Sequence, residues 1–371
     1  MTEDEHFMKR ALWLSERARG QTSPNPLVGA VLVRDGRVVG EGYHRRAGES
    51  HAEVVALDRA GDLAQGATLY VSLEPCCHYG RTPPCVDRII ERGVSEVVCA
   101  LIDPDPRVSG RGIEKLREAG IEARLGVLEE AARKTNEVYL KYITTGMPFV
   151  TLKLAQSLDG RIATSSGDSK WITGERARRF VHRLRSQVDA VMVGVETVIQ
   201  DDPQLNVRWV KGKHPLKIVL DSRLRIPMAA QVFGGERTIL ATTERSSEEK
   251  RRLIEKGAQV WILPEQDGHV DLTEVMRKAG REGITSILIE GGSKVATSAI
   301  KAGVVDKLLI FIAPKLIGAG TDAVGDLGIA RIEEAIELED VKLRKIGEDV
   351  LYRAMISKIA KSSKISKIGR G

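Results

Sequence analysis

His51-Ala52-Glu53-Val54-Val55-Ala56-Leu57, followed by Glu74-Pro75-Cys76-Cys77-His78-Tyr79-Gly80-Arg81-Thr82-Pro83-Pro84-Cys85, decides how the first half of this chain folds. The first string starts an apolar helix directly after a histidine, and the second supplies two cysteines that each follow a proline. A catalytic zinc needs three protein ligands and an open fourth position, where a bound water loses much of its proton affinity. His51, Cys76 and Cys85 provide a neutral imidazole and two thiolates, which leave a divalent zinc formally uncharged. Glu53 lies two residues past a ligand and can reach that water without touching the metal. A carboxylate so placed can take a proton from water and hand it to departing ammonia, so the set points to hydrolytic deamination.

Other readings of the same residues exist. Cys76, Cys77, His78 and Cys85 could make a closed structural site, but His51 and Glu53 would then have no role. Structural clusters also separate their first two ligands by about two to four residues, whereas Cys76 and Cys77 are adjacent. Cys77 and His78 are therefore expected behind the ligands or facing substrate. Cys99, in Val97-Val98-Cys99-Ala100-Leu101, is expected as a small buried side chain. A non-catalytic scaffold built on zinc would unfold its N-terminal domain when the metal is removed. A nucleic-acid deaminase would need a basic or aromatic strand-binding groove.

Charge and composition weigh against that groove. Aromatic residues make up 4% of the chain, and five of its six net positive charges fall in residues 357–371, leaving +1 for the other 356. The pI near 9.1 thus belongs to the tail, whose Lys364-Ile365-Ser366-Lys367-Ile368 is expected to be a solvated extension with no part in the chemistry. At 371 residues with 42% hydrophobic content, the chain is long enough for two buried cores. No apolar run approaches about 18 residues, and Met1-Thr2-Glu3-Asp4-Glu5 is acidic where a signal peptide would be basic, so a cytoplasmic protein without membrane contact is expected. Four cysteines, three of them within ten residues of one another beside a histidine, suit metal binding in a reducing compartment.

Periodicity predicts α/β organisation in both halves. The first half reads as a helix over 5–19, strands over 28–34 and 37–42 with Gly36 at the turn, the zinc helix over 51–60, a strand at 67–72, a helix over 83–92, a strand at 95–101 and a helix over 110–119. Proline is tolerated at a helix entry and free amides there stabilise thiolates, so both cysteines are expected at helix starts. A helical run from Glu129 to Tyr142 leads to a boundary at Thr144–Pro148. Strand candidates follow at Phe149–Ala155, Asp189–Val193, Leu216–Leu220, Thr238–Ala241, Gln259–Leu263, Ile284–Ile289 and Lys307–Ala313, with helical segments between many of them. These predict a predominantly parallel sheet flanked by helices. The expected division is 1–146, 147–356 and the tail 357–371.

No Gly-x-Gly-x-x-Gly follows any of these strands, so the usual dinucleotide argument is absent. Glu290-Gly291-Gly292-Ser293 reads either as a tight turn or as a glycine-rich helix entry offering amides to phosphate. Lys153 interrupts an apolar strand, where a charge is costly unless an anion meets it. Arg185 closes a basic helix whose ordinary explanation is a solvated face. Trp171 could be core, and Asp201 a turn residue.

The cysteine spacing narrows the family. The general deaminase signature places two residues between its cysteines, whereas eight, Cys77 to Pro84, stand here. The full string Glu74–Cys85 resembles the deaminase half of the bifunctional riboflavin-biosynthesis deaminase and reductase. The similarity extends to Ser23-Pro24-Asn25-Pro26-Leu27-Val28-Gly29 and Asp103-Pro104-Asp105-Pro106. It continues through Lys153-Leu154-Ala155-Gln156-Ser157-Leu158-Asp159-Gly160-Arg161, Ser169-Lys170-Trp171-Ile172-Thr173, Thr197 and Asp201–Arg208, up to about residue 355.

The resemblance implies a cytidine-deaminase-like three-layer α/β/α domain followed by a dihydrofolate-reductase-like α/β domain that uses NADPH, in a homo-oligomer. It further implies that Asn25, His44, Arg81, Thr82 and Asp103 line the deaminase substrate pocket. Ala155, Trp171, Thr197, Asp201, Ser222 and the Gly292 turn fall on cofactor positions, and Ser169, Arg185, Leu205, Arg208 and Glu290 on substrate positions, with Lys153 at the chemistry. Asp105 departs from the family, which often has asparagine there. Arg185 could clamp phosphate only if Arg208 converges on the same anion. In Asp221-Ser222-Arg223, a hydroxyl and a guanidinium are available for the 2′-phosphate that distinguishes NADPH from NADH. The implied activity is deamination of 2,5-diamino-6-ribosylamino-4(3H)-pyrimidinone 5′-phosphate, then reduction of its ribosyl chain to a ribityl chain.

Overall fold

The computed structural model describes residues 1–80, 83–244 and 248–357. The basic tail from 358 onward, Arg81 and Thr82 lie outside the described residues. The chain packs as two units, Met1–Pro148 with Ala279–Thr285, and Phe149–Lys278 with the residues from Ser286 on.

The first unit contains α1 (Glu3–Glu16), β1 (Gly29–Arg34), β2 (Arg37–Tyr43), α2 (Ala52–Ala60), β3 (Thr68–Val71), α3 (Cys85–Glu91), β4 (Glu96–Cys99), α4 (Arg111–Glu118), β5 (Glu122–Leu125), α5 (Glu129–Thr135) and α6 (Glu137–Thr145). Thr2 and Glu5 start α1 as a reciprocal capping box. Asp35 and Gly36 have φ of 51° and 71°, the left-handed pair that a two-residue hairpin between β1 and β2 requires.

The sheet order is β2-β1-β3-β4-β5, antiparallel around β1 and parallel from β3 to β5. Alternate residues of each strand enter different cores. Ala30, Leu32, Leu69, Val71, Val97 and Cys99 pack with α2, α3 and α4. Val31, Val33, Tyr70 and Val98 face the other way, toward α1 and Ala132 of α5. This period-two division of the strands is what makes three layers.

Two expectations for this unit need correction. The run Glu129–Tyr142 is two helices that meet at Asn136, whose side chain accepts from Leu27 N (2.8 Å) and donates to Leu27 O (3.0 Å). Cys85 does open α3, but Cys76 lies in the loop after β3, so two helix starts rather than three frame the cluster.

The second unit contains β6 (Phe149–Ser157), β7 (Arg161–Thr164), α7 (Glu175–Arg185), β8 (Ala190–Gly194), α8 (Val195–Asp201), β9 (Leu216–Leu220), β10 (Thr238–Thr242), α9 (Glu248–Glu255), β11 (Gln259–Ile262), β12 (Glu265–Gln266), β13 (His269–Val270), most of α10 (Leu272–Arg281), β14 (Ser286–Ile289), α11 (Ser293–Lys301), β15 (Lys307–Ala313), β16 (Gly320–Asp322), β17 (Leu338–Ile346) and β18 (Asp349–Ile356). Nine strands form one sheet in the order β11-β10-β9-β8-β14-β6-β15-β18-β17. Neighbours from β11 through β15 run parallel, as expected, while β15-β18 and β18-β17 are antiparallel. Neither strand of this C-terminal hairpin was among the expected strands; β17 lies at the sheet edge and is mostly exposed, with apolar residues only at Leu338, Val341, Leu343 and Ile346.

Candidate functional site

Close backbone packing sets the first site. Gly40 and Gly42 share one face of β2, where added Cβ atoms would lie 2.3 Å from Ala56 O and 2.6 Å from Ala52 O. Their lack of side chains lets α2 lie directly on the strand. His51 is the N-cap of α2, and Glu53 sits in its first turn with 3% of its surface exposed.

His51 Nδ1 lies 3.2 Å from Cys85 Sγ and 3.5 Å from Cys76 Sγ, and the three ligand atoms fall within 4.8 Å of one another. Tetrahedral zinc with ordinary Zn–S and Zn–N bonds would separate nitrogen from sulfur by about 3.6 Å. Donor types and spacing therefore fit the metal. Among the described residues this is the one such three-group cluster, and it includes neither Cys77 nor His78. Cys77 instead directs its thiol toward Arg107 O at 3.7 Å, and burial pushes that thiol up.

Without metal the three ligands share protons: Cys76 is held as the thiolate, while His51 and the buried Cys85 are pushed toward their protonated forms. A hydrogen bond from Cys85 holds the Cys76 thiol down to about 4, helped by His51, and Cys76 in turn lifts His51 to about 8. The Cys85 backbone N–H, at the start of α3, also donates to Cys76 Sγ at 3.4 Å. Burial pushes the Glu53 carboxyl up to about 7 against the pull of His51, toward the range of a group that both takes and returns a proton.

Asn25 and His44 meet beside this cluster, with Asn25 Nδ2 3.1 Å from His44 Nε2 and His44 Nδ1 3.2 Å from Ser50 O. Assigned from these partners, the tautomer carries its proton on Nδ1 and leaves Asn25 Oδ1 available. Burial lowers the His44 pKa, consistent with a neutral ring. The His44 and His51 rings touch edge to face, with centroids 5.4 Å apart.

Asp103 and Asp105 build two successive side-chain turns, Asp103 Oδ1 accepting from Asp105 N and Asp105 Oδ1 from Arg107 N, both at 2.9 Å. Tyr139 OH donates to Asp103 at 2.8 Å. The Asp105 carboxylate is paired with Arg107 at 2.6 Å, so its charge is met within its own loop. Glu74 joins this loop to the cysteines: Oε2 accepts from Asp103 N (3.2 Å) and Gly110 N (2.9 Å), and Oε1 from Gly112 N (2.9 Å) and Ile113 N (3.4 Å).

The second unit has two adjoining clefts. The larger, about 940 Å³, is lined by Ala155, Trp171, Thr197, Asp201, Ser222, Arg223 and Gly292. The smaller, about 410 Å³, is lined by Arg185, Leu205 and Arg208, while Lys153, Ser169 and Glu290, with Trp171, Thr197 and Asp201, border both. Gly292 is the N-cap of α11, where no side chain caps the first amides, a ready seat for phosphate. These features fit a dinucleotide without the usual glycine fingerprint.

Arg185 is not poised with Arg208 as a pair of free guanidiniums. Its Nε and Nη2 donate to Glu290 at 2.6 and 3.0 Å, and its Nη1 donates to Asn206 O at 3.1 Å. Burial pushes the Glu290 carboxyl up, but Arg185 and Lys153 more than offset it, leaving the pKa below its ordinary value. Burial lowers the Lys153 pKa, with Arg185 adding to the effect and Glu290 opposing it.

Comparison with known proteins agrees with this pairing of sites. Residues 1–101 match the cytidine and deoxycytidylate deaminase zinc-binding region, and residues 148–352 match the RibD C-terminal domain. The riboflavin biosynthesis protein RibD of Aquifex aeolicus is 48% identical over 350 residues, spanning 94% of this chain and 97% of its own. The chain belongs to the RibD family.

The RibD protein of Escherichia coli is 43% identical, covering 94% of this chain and 98% of its own. A solved RibD structure from Acinetobacter baumannii superposes with a TM-score of 0.87 at 37% identity, covering 96% of this chain and 99% of that one. A Thermotoga maritima structure, described as a diaminohydroxyphosphoribosylaminopyrimidine deaminase and 5-amino-6-(5-phosphoribosylamino)uracil reductase, gives 0.84 at 37% identity with the same coverage. Like the RibD family, the chain is a bifunctional deaminase and reductase of riboflavin biosynthesis that uses zinc and NADPH. No described helix is long and apolar enough to cross a membrane.

Glu74, Tyr139 and His182 escaped the sequence reading. Glu74 and Tyr139 act through partners roughly 30 to 40 positions away, which no local pattern reveals. His182 left a trace, because it stands one turn before Arg185 on the helix face that borders the smaller cleft.

Proposed function

We propose that the chain deaminates 2,5-diamino-6-ribosylamino-4(3H)-pyrimidinone 5′-phosphate and then reduces the ribosyl chain of the product, giving 5-amino-6-ribitylamino-uracil 5′-phosphate. His51, Cys76 and Cys85 would hold zinc, and the larger cleft of the second unit would hold NADPH. When bound, zinc supplies an acidified water at C2 of the pyrimidinone and NADPH supplies a hydride for C1′ of the ring-opened sugar. Glu53 carries a proton from that water to the departing ammonia. Asn25 and His44 hold the base, Asp103 contributes from its braced loop, and the substrate-binding role assigned to Arg81 and Thr82 falls outside the described residues.

In the reductase, Ala155, Trp171, Thr197, Asp201, Ser222, Arg223 and Gly292 seat the cofactor. Ser169, Leu205 and Arg208 bind substrate, Arg185 holds Glu290, and Glu290 with Lys153 orients the opened sugar and manages its protons. The proposed domains are 1–146 and 147–356, with 357–371 as a tail outside the chemistry. The enzyme is proposed to be a cytoplasmic homo-oligomer that acts on a small molecule and not on nucleic acid.

The observation that carries the reading is the border shared by the two clefts, where Lys153 and Glu290 face both. The test is NADPH oxidation started from the still-aminated pyrimidine ribosyl phosphate with the zinc-loaded chain alone. Oxidation accompanied by ammonia release is expected; ammonia release with no oxidation of NADPH, even from supplied deaminated substrate, would count against the second step.

Arg223 decides cofactor choice in this reading. It is exposed at the rim of the larger cleft, beside Ser222 and the end of β9. Arg223→Ala is expected to raise KM for NADPH roughly tenfold and leave KM for NADH nearly unchanged, the loss of about one charge-assisted phosphate contact. Equal effects on both cofactors would remove Arg223 from the assignment.

A further inference from the structure

One cation bordering both reductase clefts has no part in the reading above. Arg178 lies on α7 four residues before His182 and seven before Arg185, so the three share a helix face. The charges on that face are handled differently. Arg185 is compensated by Glu290. Burial, then the positive charges of Arg185 and Arg208, pulls His182 down to about 4, so its ring is neutral near pH 7 and its Nδ1 accepts from Arg208 N at 3.2 Å.

Arg178 has no carboxylate partner among the described residues. Its Nη1 donates to Thr173 O at 2.9 Å, while its Nε is buried without an acceptor. The guanidinium lies over two indoles, 4.5 Å from the Trp171 ring centre and 5.6 Å from that of Trp209. The indoles pack against the guanidinium, and the single bond to Thr173 O leaves most of its N–H donors for an oxyanion. A partly buried guanidinium without a counter-charge is unfavourable until an anion meets it.

We propose that Arg178 is a phosphate-receiving residue of the reductase, and that the phosphate is the substrate's ribosyl 5′-phosphate; this rests on the reductase reading. Cofactor pyrophosphate has the same chemistry, and Arg178 borders the larger cleft too. Substrate is favoured because Arg208, whose Nη1 meets the neutral Gln204 side chain at 2.8 Å, borders the smaller cleft with Arg178 and not the larger one. Among the described residues neither guanidinium has a carboxylate partner, and both line the cleft that would receive the dianion.

The test measures binding of ribose 5-phosphate, ribose and NADPH to the full zinc-loaded chain by calorimetry, for wild type, Arg178→Gln and Arg178→Lys. Arg178→Gln is expected to weaken ribose 5-phosphate roughly 10- to 100-fold, the range for one lost charge-assisted contact, with Arg178→Lys in between. Ribose and NADPH should stay within about twofold. A loss confined to NADPH would give Arg178 to the cofactor and overturn the substrate assignment. Unchanged ribose 5-phosphate binding in a Gln variant with wild-type thermal unfolding would overturn the proposal altogether. A wild type that binds neither ribose 5-phosphate nor NADPH would remove the reductase reading and this inference with it.

Discussion

Glu53→Gln is expected to lower deamination by about three orders of magnitude, within the range for removal of a general acid/base, while zinc content and reduction of supplied deaminated substrate stay as in the wild type. Glutamine keeps the shape of the side chain, so a position with 3% exposure in the first turn of α2 should tolerate it. What is lost is the capacity to accept a proton. Burial already prepares the carboxyl for this by raising its pKa to about 7. The two readouts, ammonia release and NADPH oxidation, come from one chain, so the reductase serves as an internal control. Loss of zinc together with deamination would reassign Glu53 to holding the metal site, and loss of both activities would argue against independent chemistry.

Arg185→Ala should be the most damaging change in the second unit. The Arg185–Glu290 pair is largely out of water, with side-chain exposures of 13% and 7%. Removing one member of such a pair leaves a buried charge and costs about 3 kcal/mol or more, and for a unit in this size range the melting temperature should fall by roughly 6–12 °C. Glu290 has a depressed folded pKa, so its stabilisation is present above the unfolded carboxylate pKa and is lost as pH falls through the folded value. Without Arg185 the effect of burial prevails, the folded pKa rises, and acid unfolding of this unit should begin at higher pH. Arg185→Met with Glu290→Leu should recover much of the stability and none of the reductase activity. A single Arg185→Ala variant with wild-type melting and activity would refute the role given to the pair.

These cases show which parts of the sites could be read in the sequence. His51, Glu53, Cys76 and Cys85 were legible because few residue types can bind zinc or shuttle its protons, and their spacing limits the alternatives. The setting of Cys76 was not. Both Pro-Cys steps look like helix entries, yet only Pro84-Cys85 begins one, because Pro75-Cys76 is held by Glu74 contacts to amides near residues 103 and 110–113. Arg185 was named as a substrate residue, but its pairing with Glu290 was hidden for a related reason. Its helix reads as uniformly basic, and its partner lies 105 positions away. The parallel strands announced themselves through apolar runs, whereas β17, exposed at a sheet edge, had no such signal.

The four amide bonds to Glu74 also bear on how this scaffold could be changed. Cys76 is fixed from behind by that carboxylate, and Cys85 by its place at the start of α3. Both ligands therefore have an anchor outside the stretch of chain that joins them. Exchanging that stretch is therefore expected to leave zinc content as in the wild type even where it changes which aminated base is accepted.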